Sequence, residues 1–274
     1  MRNKILPLNN DIIVYPAHGA GSACGKNISK ETFDLLGNQK EINYALNKNL
    51  TKEDFIREVL DGILPPPQYF PKNVKLNKTI INKTVEEIII TGSKPLSIQD
   101  FDNEVKKGAL ILDVRHQKDF VKGFIPGSWF IGIDGVFAPW VGSLIKDINQ
   151  KIVIVCPKGR EKEVVTRLAR VGYDNAVGYL KGSFFSWEKT GRKIDTIIQE
   201  TAIELEAKNK KEINILDVRK STEYNVEHIE SAKNKPLNDL FNHYKEIDKE
   251  KKYHIHCAGG YRSVIYISIL KSKG

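Results

Sequence analysis

Apolar positions in this chain follow two rhythms, and from Ser97 onward the rhythms alternate regularly enough to predict a layered fold. Ser97 stands as the N-cap of a helix that carries Phe101 and Val105 on one face and stops at Gly108. Residues 110–114 form a short apolar run of strand length, and 152–155 form another. Residues 161–171 return to helical spacing, with Val164, Val165, Leu168 and Val171 on one side. The alternation continues as a helix near 198–207, a strand at 213–218, a helix near 237–247, a strand at 253–256 and a helix from about Arg262. Apolar strands separated by amphipathic helices predict an α/β fold whose parallel sheets are covered by helices on both sides.

Ahead of Ser97 the pattern is less regular. Residues 11–16 read as a buried strand, followed by the glycine-rich turn His18-Gly19-Ala20-Gly21-Ser22. One short helix is predicted from Ser29 to Gly37. Another has Thr51 as its N-cap, Asp54 three residues on, the apolar set Phe55, Ile56, Val59 and Leu60, and Gly62 as its stop. The proline-rich run 64–71 excludes helix and central strand, because proline lacks a donor and forces extended backbone. The expected division is an N-terminal segment 1–75, a linker 76–92, and two units at 93–195 and 196–274.

The two units are copies. Ile111-Leu112-Asp113-Val114-Arg115 returns 104 residues later as Ile215-Leu216-Asp217-Val218-Arg219. Each copy then runs to a β-rich segment closed by a cysteine, Cys156 and Cys257, which lie 101 residues apart. A period this long marks a duplicated domain, since solenoid units span roughly 20–50 residues. The second copy reads as shortened, with 17 residues after Cys257.

Composition narrows the function. With 41% hydrophobic and 28% charged residues the chain is of ordinary globular type, and no apolar stretch reaches the ~18 residues of a membrane helix. Three cysteines without a Cys-x-x-Cys pair do not make a disulfide framework, and a reducing cytoplasm is expected. The net charge of +9 comes from lysines scattered among Asn, Ile and Glu, without the basic, aromatic-laced patch of a nucleic-acid binder. The charge reads as mostly solvated surface lysine, with a minor share favouring small anionic substrates. No nucleic-acid or membrane partner is expected, and a homo-oligomer is allowed.

The candidate chemistry lies in Cys257-Ala258-Gly259-Gly260-Tyr261-Arg262-Ser263, a strand–loop–helix junction with the thiol at the strand end. The N–H groups of 258–262 are expected to converge on the sulfur, using the backbone freedom of Gly259 and Gly260, so that a branched side chain at 259 would block the ring. The helix N-terminus and Arg262 add positive charge, and together these favour a thiolate, a persulfide or a bound oxyanion.

Leu-Asp-Val-Arg followed by Cys-x-x-x-x-Arg at a helix start resembles the rhodanese (sulfurtransferase) family, over about residues 93–274 as two tandem modules. The resemblance implies that Cys257 carries a sulfane sulfur taken from thiosulfate or a low-molecular-weight persulfide and passes it to a thiol or sulfite. Ala258, Gly259, Gly260, Tyr261 and Ser263 would then bind substrate, Arg262 would close the loop, and Asp217 and Arg219 would brace the strand end. The loop suits one sulfur atom; related phosphatase loops are one residue longer. Where the family has Gly-His-Ile-x-Gly-Ala, this copy has Glu227-His228-Ile229-Glu230-Ser231-Ala232. The first copy keeps the scaffold but has Cys156-Pro157-Lys158-Gly159-Arg160, one residue short and missing a donor at Pro157, and is expected to be inactive.

The stretch 14–26 and the segment 61–74 resemble late parts of metallo-β-lactamase-fold proteins, most closely those fused to rhodaneses in persulfide dioxygenase–sulfurtransferase proteins. This implies a partial metallo-β-lactamase-fold segment ahead of the two modules and a role in sulfide detoxification. His18 is the first histidine, so the iron ligands of that fold would lie outside this chain, and Fe(II) is expected only in the N-terminal part of a longer parent. No metal site or cofactor is expected here. The competing expectation is a non-catalytic rhodanese-fold interaction module.

Overall fold

A computed structural model of the chain describes residues 1–17, 31–60, 69–79, 83–208 and 213–274. His18 with its glycine-rich turn, Cys24, Gly62 and the prolines 65–67 lie outside the described residues. The chain divides into two compact units, Met1–Pro65 and Pro66–Gly274.

In the first unit β1 (Ile13–Val14) pairs antiparallel with β2 (Asp34–Leu35). Ile13 and Tyr15 are exposed where the pattern predicts a buried strand, and Val14 is half-buried. The helix predicted to end at Gly37 instead begins there, as α1 (Leu36–Ile42). Asp34 sets the start: its carboxylate accepts from the Leu35 N–H at 2.8 Å and from the Asn38 and Gln39 amides at 2.9 and 2.7 Å. In α2 (Lys52–Leu60) Thr51 caps as predicted, accepting from the Asp54 N–H at 3.1 Å.

The second unit opens with α3 (Phe70–Lys78), whose first turn includes Pro71. Proline is tolerated there because its missing donor would have no intrahelical partner, which the reading of 64–71 as non-helical overlooks. Next comes α4 (Val85–Gly92), fixed by a Thr84/Glu87 capping box. Residues 84–92, read as linker, are therefore helix. Ile88 of α4 sits in the core, and a Cβ on Gly92 would meet Val165 at 2.7 Å.

The first module then runs through β3 (Pro95–Leu96), α5 (Ile98–Lys106), β4 (Leu110–Asp113), α6 (Gln117–Phe120), β5 (Trp129–Phe130), α7 (Phe137–Leu144), β6 (Ile152–Val155), α8 (Glu161–Ala169), β7 (Ala176–Leu180) and α9 (Ser183–Glu188). Its strands form one parallel sheet in the order β3-β7-β6-β4-β5. All of β6 is buried, as a central parallel strand requires.

The second module has α10 (Ala202–Glu206), β8 (Asn214–Asp217), α11 (Ser221–Val226), β9 (Ala232–Asn234), α12 (Leu240–His243), β10 (Tyr253–His256) and α13 (Tyr261–Ser272). Its parallel order β10-β8-β9 reproduces β6-β4-β5 of the first. Two helices are shorter than predicted. A Thr201/Glu204 capping box delays α10 to Ala202. The predicted helix 237–247 is α12 flanked by two 3-10 turns, since Asn238, Asp239, Asn242 and His243 are weak helix formers. The unusual 227–232 segment still turns without glycine: the Ala232 N–H donates to the Ile229 carbonyl at 2.7 Å, and Ser231 avoids the left-handed φ of +85° adopted by its counterpart Gly127.

The modules share one core. Val264, Ile265, Tyr266 and Ile269 of α13 are buried in the same cluster as Phe130 and Ile133 of the first module. Polar bonds fix the register: Phe130 N–H to Ser268 Oγ at 2.9 Å, Trp129 Nε1 to Ser272 Oγ at 2.8 Å, and Tyr261 Oη to the Gly132 carbonyl at 2.6 Å. Tyr261→Phe leaves that carbonyl with only the Gly135 N–H at 3.3 Å and should lower unfolding free energy by ~0.5–1.5 kcal/mol. Urea titration should show the midpoint falling with an unchanged slope; an unmoved midpoint would mean the bond contributes nothing to the weld.

Candidate functional site

Cys257 lies at the C-terminal end of β10, half-buried, with Ala258, Gly259 and Gly260 exposed above it. Gly260 takes φ +79°, a left-handed conformation that turns the chain directly into α13. Only this glycine needs the freedom. A Cβ on Gly259 would meet open space, so the expected steric block at 259 does not arise.

Donors converge on the sulfur. The N–H groups of Ser263, Gly259 and Gly260 donate to it, and Ser263 Oγ lies 3.7 Å from Sγ. Ser263, just past the 258–262 stretch expected to form the ring, thus contributes both backbone and hydroxyl. Its hydroxyl also reaches the Gly260 carbonyl at 3.3 Å, so it can serve the neutral thiol or turn to the thiolate. Burial alone raises a thiol pKa, but these donors outweigh it and hold Cys257 below the ordinary thiol value.

Arg262, on the first turn of α13, lies beside the sulfur and is ion-paired at two points: Nη1 and Nη2 reach Glu223 Oε2 and Oε1 at 2.5 and 2.8 Å. Glu223 comes from α11 and was not singled out from the sequence. Its spacing in Arg219-x-x-x-Glu223, one helical turn past the strand-end arginine, was the available signal. The Tyr261 side chain turns out of the loop into the first module, so it does not bind at the sulfur as a side chain.

Asp217 and Arg219 brace the strand end. Arg219 grips the Asp217 carboxylate through Nε and Nη2 at 2.9 and 2.6 Å and reaches the Glu227 carbonyl at 2.7 Å. Asn234 adds bonds of 3.0 Å to both the Asp217 and Arg219 carbonyls, a support the sequence reading missed. The first copy repeats the brace, with Arg115 on Asp113 at 2.7 Å and on the Gly123 carbonyl at 2.8 Å.

Its loop differs. Cys156 is 2% exposed, and burial, with Glu161 and Asp113 nearby, pushes its thiol up to about 12. The Gly159 N–H donates to Glu161 at 3.0 Å rather than to sulfur, and Arg160 turns to Glu163 and Asp134 at 2.8 and 2.5 Å. Among the described residues the histidines do not build a metal centre. His254 pairs with Glu200 at 2.9 Å and His256 lies 3.7 Å from Asp217, and among the described residues no cluster of three or more His, Cys, Asp or Glu could hold a metal. Among the same residues no helix is long and apolar enough to cross a membrane.

The family model described as "Rhodanese-like domain" matches residues 97–190 and 201–274. The chain belongs to the rhodanese-like family. The two matches fall within the two rhodanese modules and include Cys156 and Cys257. No curated protein matches the chain. Among solved structures it is similar to a metallo-β-lactamase from Staphylococcus aureus subsp. aureus COL (26% identity, 64% of this chain and 46% of that chain, TM-score 0.46). It is also similar to a thiosulfate sulfurtransferase from Pseudomonas aeruginosa (17%, 75% and 44%, TM-score 0.33). A 3-mercaptopyruvate sulfotransferase from Escherichia coli is a third (14%, 65% and 93%, TM-score 0.32). The chain spans less than half the length of the first two.

The two rhodanese thiols should separate by pH. Because only the thiolate alkylates, Cys257 should reach half-maximal iodoacetamide rate below the ordinary ~8.5 of a free thiol, whereas Cys156 should stay unlabelled in the native protein through pH 9 and label in denaturant. Peptide-resolved labelling against pH checks both. A Cys257 midpoint at or above the free-thiol value would mean the donors do not outweigh burial.

Proposed function

We propose that the second module is the working half of a sulfurtransferase that carries sulfane sulfur on Cys257. The observation that carries this reading is the convergence of the Ser263, Gly259 and Gly260 donors on a thiol whose copy in the first module lacks them. A sulfur carrier must stabilise anionic sulfur twice, as the attacking thiolate and as the terminal atom of the persulfide, and fixed amides at a helix N-terminus supply that without reorganising.

The transfer balances in two half-reactions. The Cys257 thiolate attacks the outer sulfur of thiosulfate, the S–S bond of the donor breaks, and sulfite leaves with the electron pair, giving Cys257–S–S⁻. A thiol or sulfite acceptor then attacks the terminal sulfur and returns the Cys257 thiolate. With a persulfide donor the leaving group is the donor's own thiolate. A covalent intermediate between two half-reactions implies ping-pong kinetics. By the resemblance of 14–26 and 61–74, we place this activity beside a persulfide dioxygenase in a longer fusion that detoxifies sulfide. The iron of that partner would be held by residues other than those described here, and no step of the sulfur transfer runs through it.

Incubating the chain with thiosulfate and no acceptor should add one sulfur atom to the Cys257 peptide in mass spectrometry, reversible by cyanide. Cys257→Ala should lose nearly all transfer and Cys156→Ala should keep most of it. A folded sample that never forms the adduct would favour the interaction-module reading, and exchanged roles of the two mutants would invert the assignment of the working copy.

A further inference from the structure

The loop around Cys257 contains two guanidinium groups, and each is already matched by a carboxylate. Arg262 is held by Glu223 at 2.5 and 2.8 Å, and Arg219 by Asp217 at 2.6 Å. The remaining basic group, His256, sits with Nε2 buried and without a hydrogen-bond partner, 3.7 Å from Asp217. Burial holds its pKa below the ordinary imidazole value, although Asp217 pulls the other way, so it is neutral at neutral pH. The fixed side-chain charges at the site therefore cancel, two positive against two negative. What the sulfur has left is uncharged donors, the positive end of α13 and a guanidinium, Arg262, that it shares with Glu223.

The Arg262–Glu223 pair belongs to this loop alone. In the first copy Arg160 is turned toward Glu163 and Asp134, and Asp119, one methylene shorter, stands at the position of Glu223. The pair is also durable: the side-chain hydrogen bonds from Arg262 hold the Glu223 carboxyl down at about 2, so it stays ionised across any working pH.

We propose that Glu223 is a specificity-determining residue of the Cys257 site: by holding Arg262 in a two-point ion pair it withholds the guanidinium charge from the incoming donor, so that the loop takes sulfur from a persulfide of low charge in preference to dianionic thiosulfate. The inference rests on the sulfur-transfer reading above. For a persulfide R–S–SH, the Cys257 thiolate attacks the terminal sulfur, the donor S–S bond breaks, RS⁻ leaves with the electron pair, and Cys257–S–SH keeps the proton. With thiosulfate the same attack brings a monoanion onto a dianion. A free cation at the loop mouth relieves that repulsion, and a guanidinium already shared with a carboxylate relieves little of it.

The test is the rate of Cys257 persulfide formation in the full chain, without acceptor, from thiosulfate and from 2-hydroxyethyl persulfide, by quenched mass spectrometry. The wild-type chain should load faster from the persulfide. Glu223→Gln should raise the thiosulfate rate relative to the persulfide rate about tenfold and make it more salt-dependent, as expected when a charge is unmasked. Glu223→Asp, which keeps the charge but shortens its reach by one methylene, should give a ratio between wild type and Glu223→Gln. An unchanged ratio in Glu223→Gln while both donors load would overturn the role of Glu223. Faster wild-type loading from thiosulfate would do the same without any variant, so the inference stands exposed even where Glu223→Gln fails to fold. If neither donor loads folded wild-type chain, it is the sulfur-transfer reading that fails.

Discussion

The arrangement depends on how α13 is held. Its first turn builds the reactive loop, while its body is apolar on every side: Val264, Ile265, Tyr266, Ile267, Ile269 and Leu270 leave no polar stripe. A helix of that kind must be covered all round. The sheet of its own module covers one side, and β5 of the first module covers another, with Ser268 and Ser272 placed to bond Phe130 and Trp129. A side chain buried this way contributes roughly 1.5–3 kcal/mol, so the contacts between modules exceed anything the loop itself could supply. The loop amides can point at sulfur because the helix behind them cannot move.

This gives the first module a purpose that its own thiol does not have. The two copies share β-order, the Asp–Arg brace and a cysteine at the end of the same strand. They differ in what the loop amides are given to bond. Where Ser263, Gly259 and Gly260 meet sulfur, the thiolate is stabilised; where Gly159 meets the Glu161 carboxylate, the sulfur is left to burial and the nearby carboxylates. Opposite pKa directions at two equivalent strand ends thus follow from a handful of loop residues on a common scaffold. On the proposed function, duplication lets one copy keep the chemistry while the other keeps the packing.

What was legible in the sequence was mostly local. The strands 110–113 and 152–155 were readable because a buried parallel strand writes its apolar run contiguously, 214–217 and 253–256 because they repeat those two in the second copy, and the loop 257–263 because its parts are neighbours in the chain. Glu223 was hidden by its 39-residue distance from Arg262. Tyr261 was misplaced because a residue inside a loop motif is naturally assigned to the loop, whereas its ring answers to Gly132 across the module boundary. The start of α10 was displaced because Thr201 offers a better cap.

The same reasoning explains why the charges of the site are paired and not free. Arg219 must grip Asp217, since Asp217 is fully buried and an uncompensated carboxylate there would cost several kcal/mol. Holding Arg219 in the brace removes it from the loop mouth, and Glu223, one helical turn along α11, lies where Arg262 meets it. The brace that fixes the strand end therefore also decides which charge remains for a substrate. In this module the sulfur faces oriented amides, a hydroxyl, a helix end and a guanidinium already shared with Glu223, and on the proposed function this set favours a charge forming at the sulfur over a charge already carried by the donor.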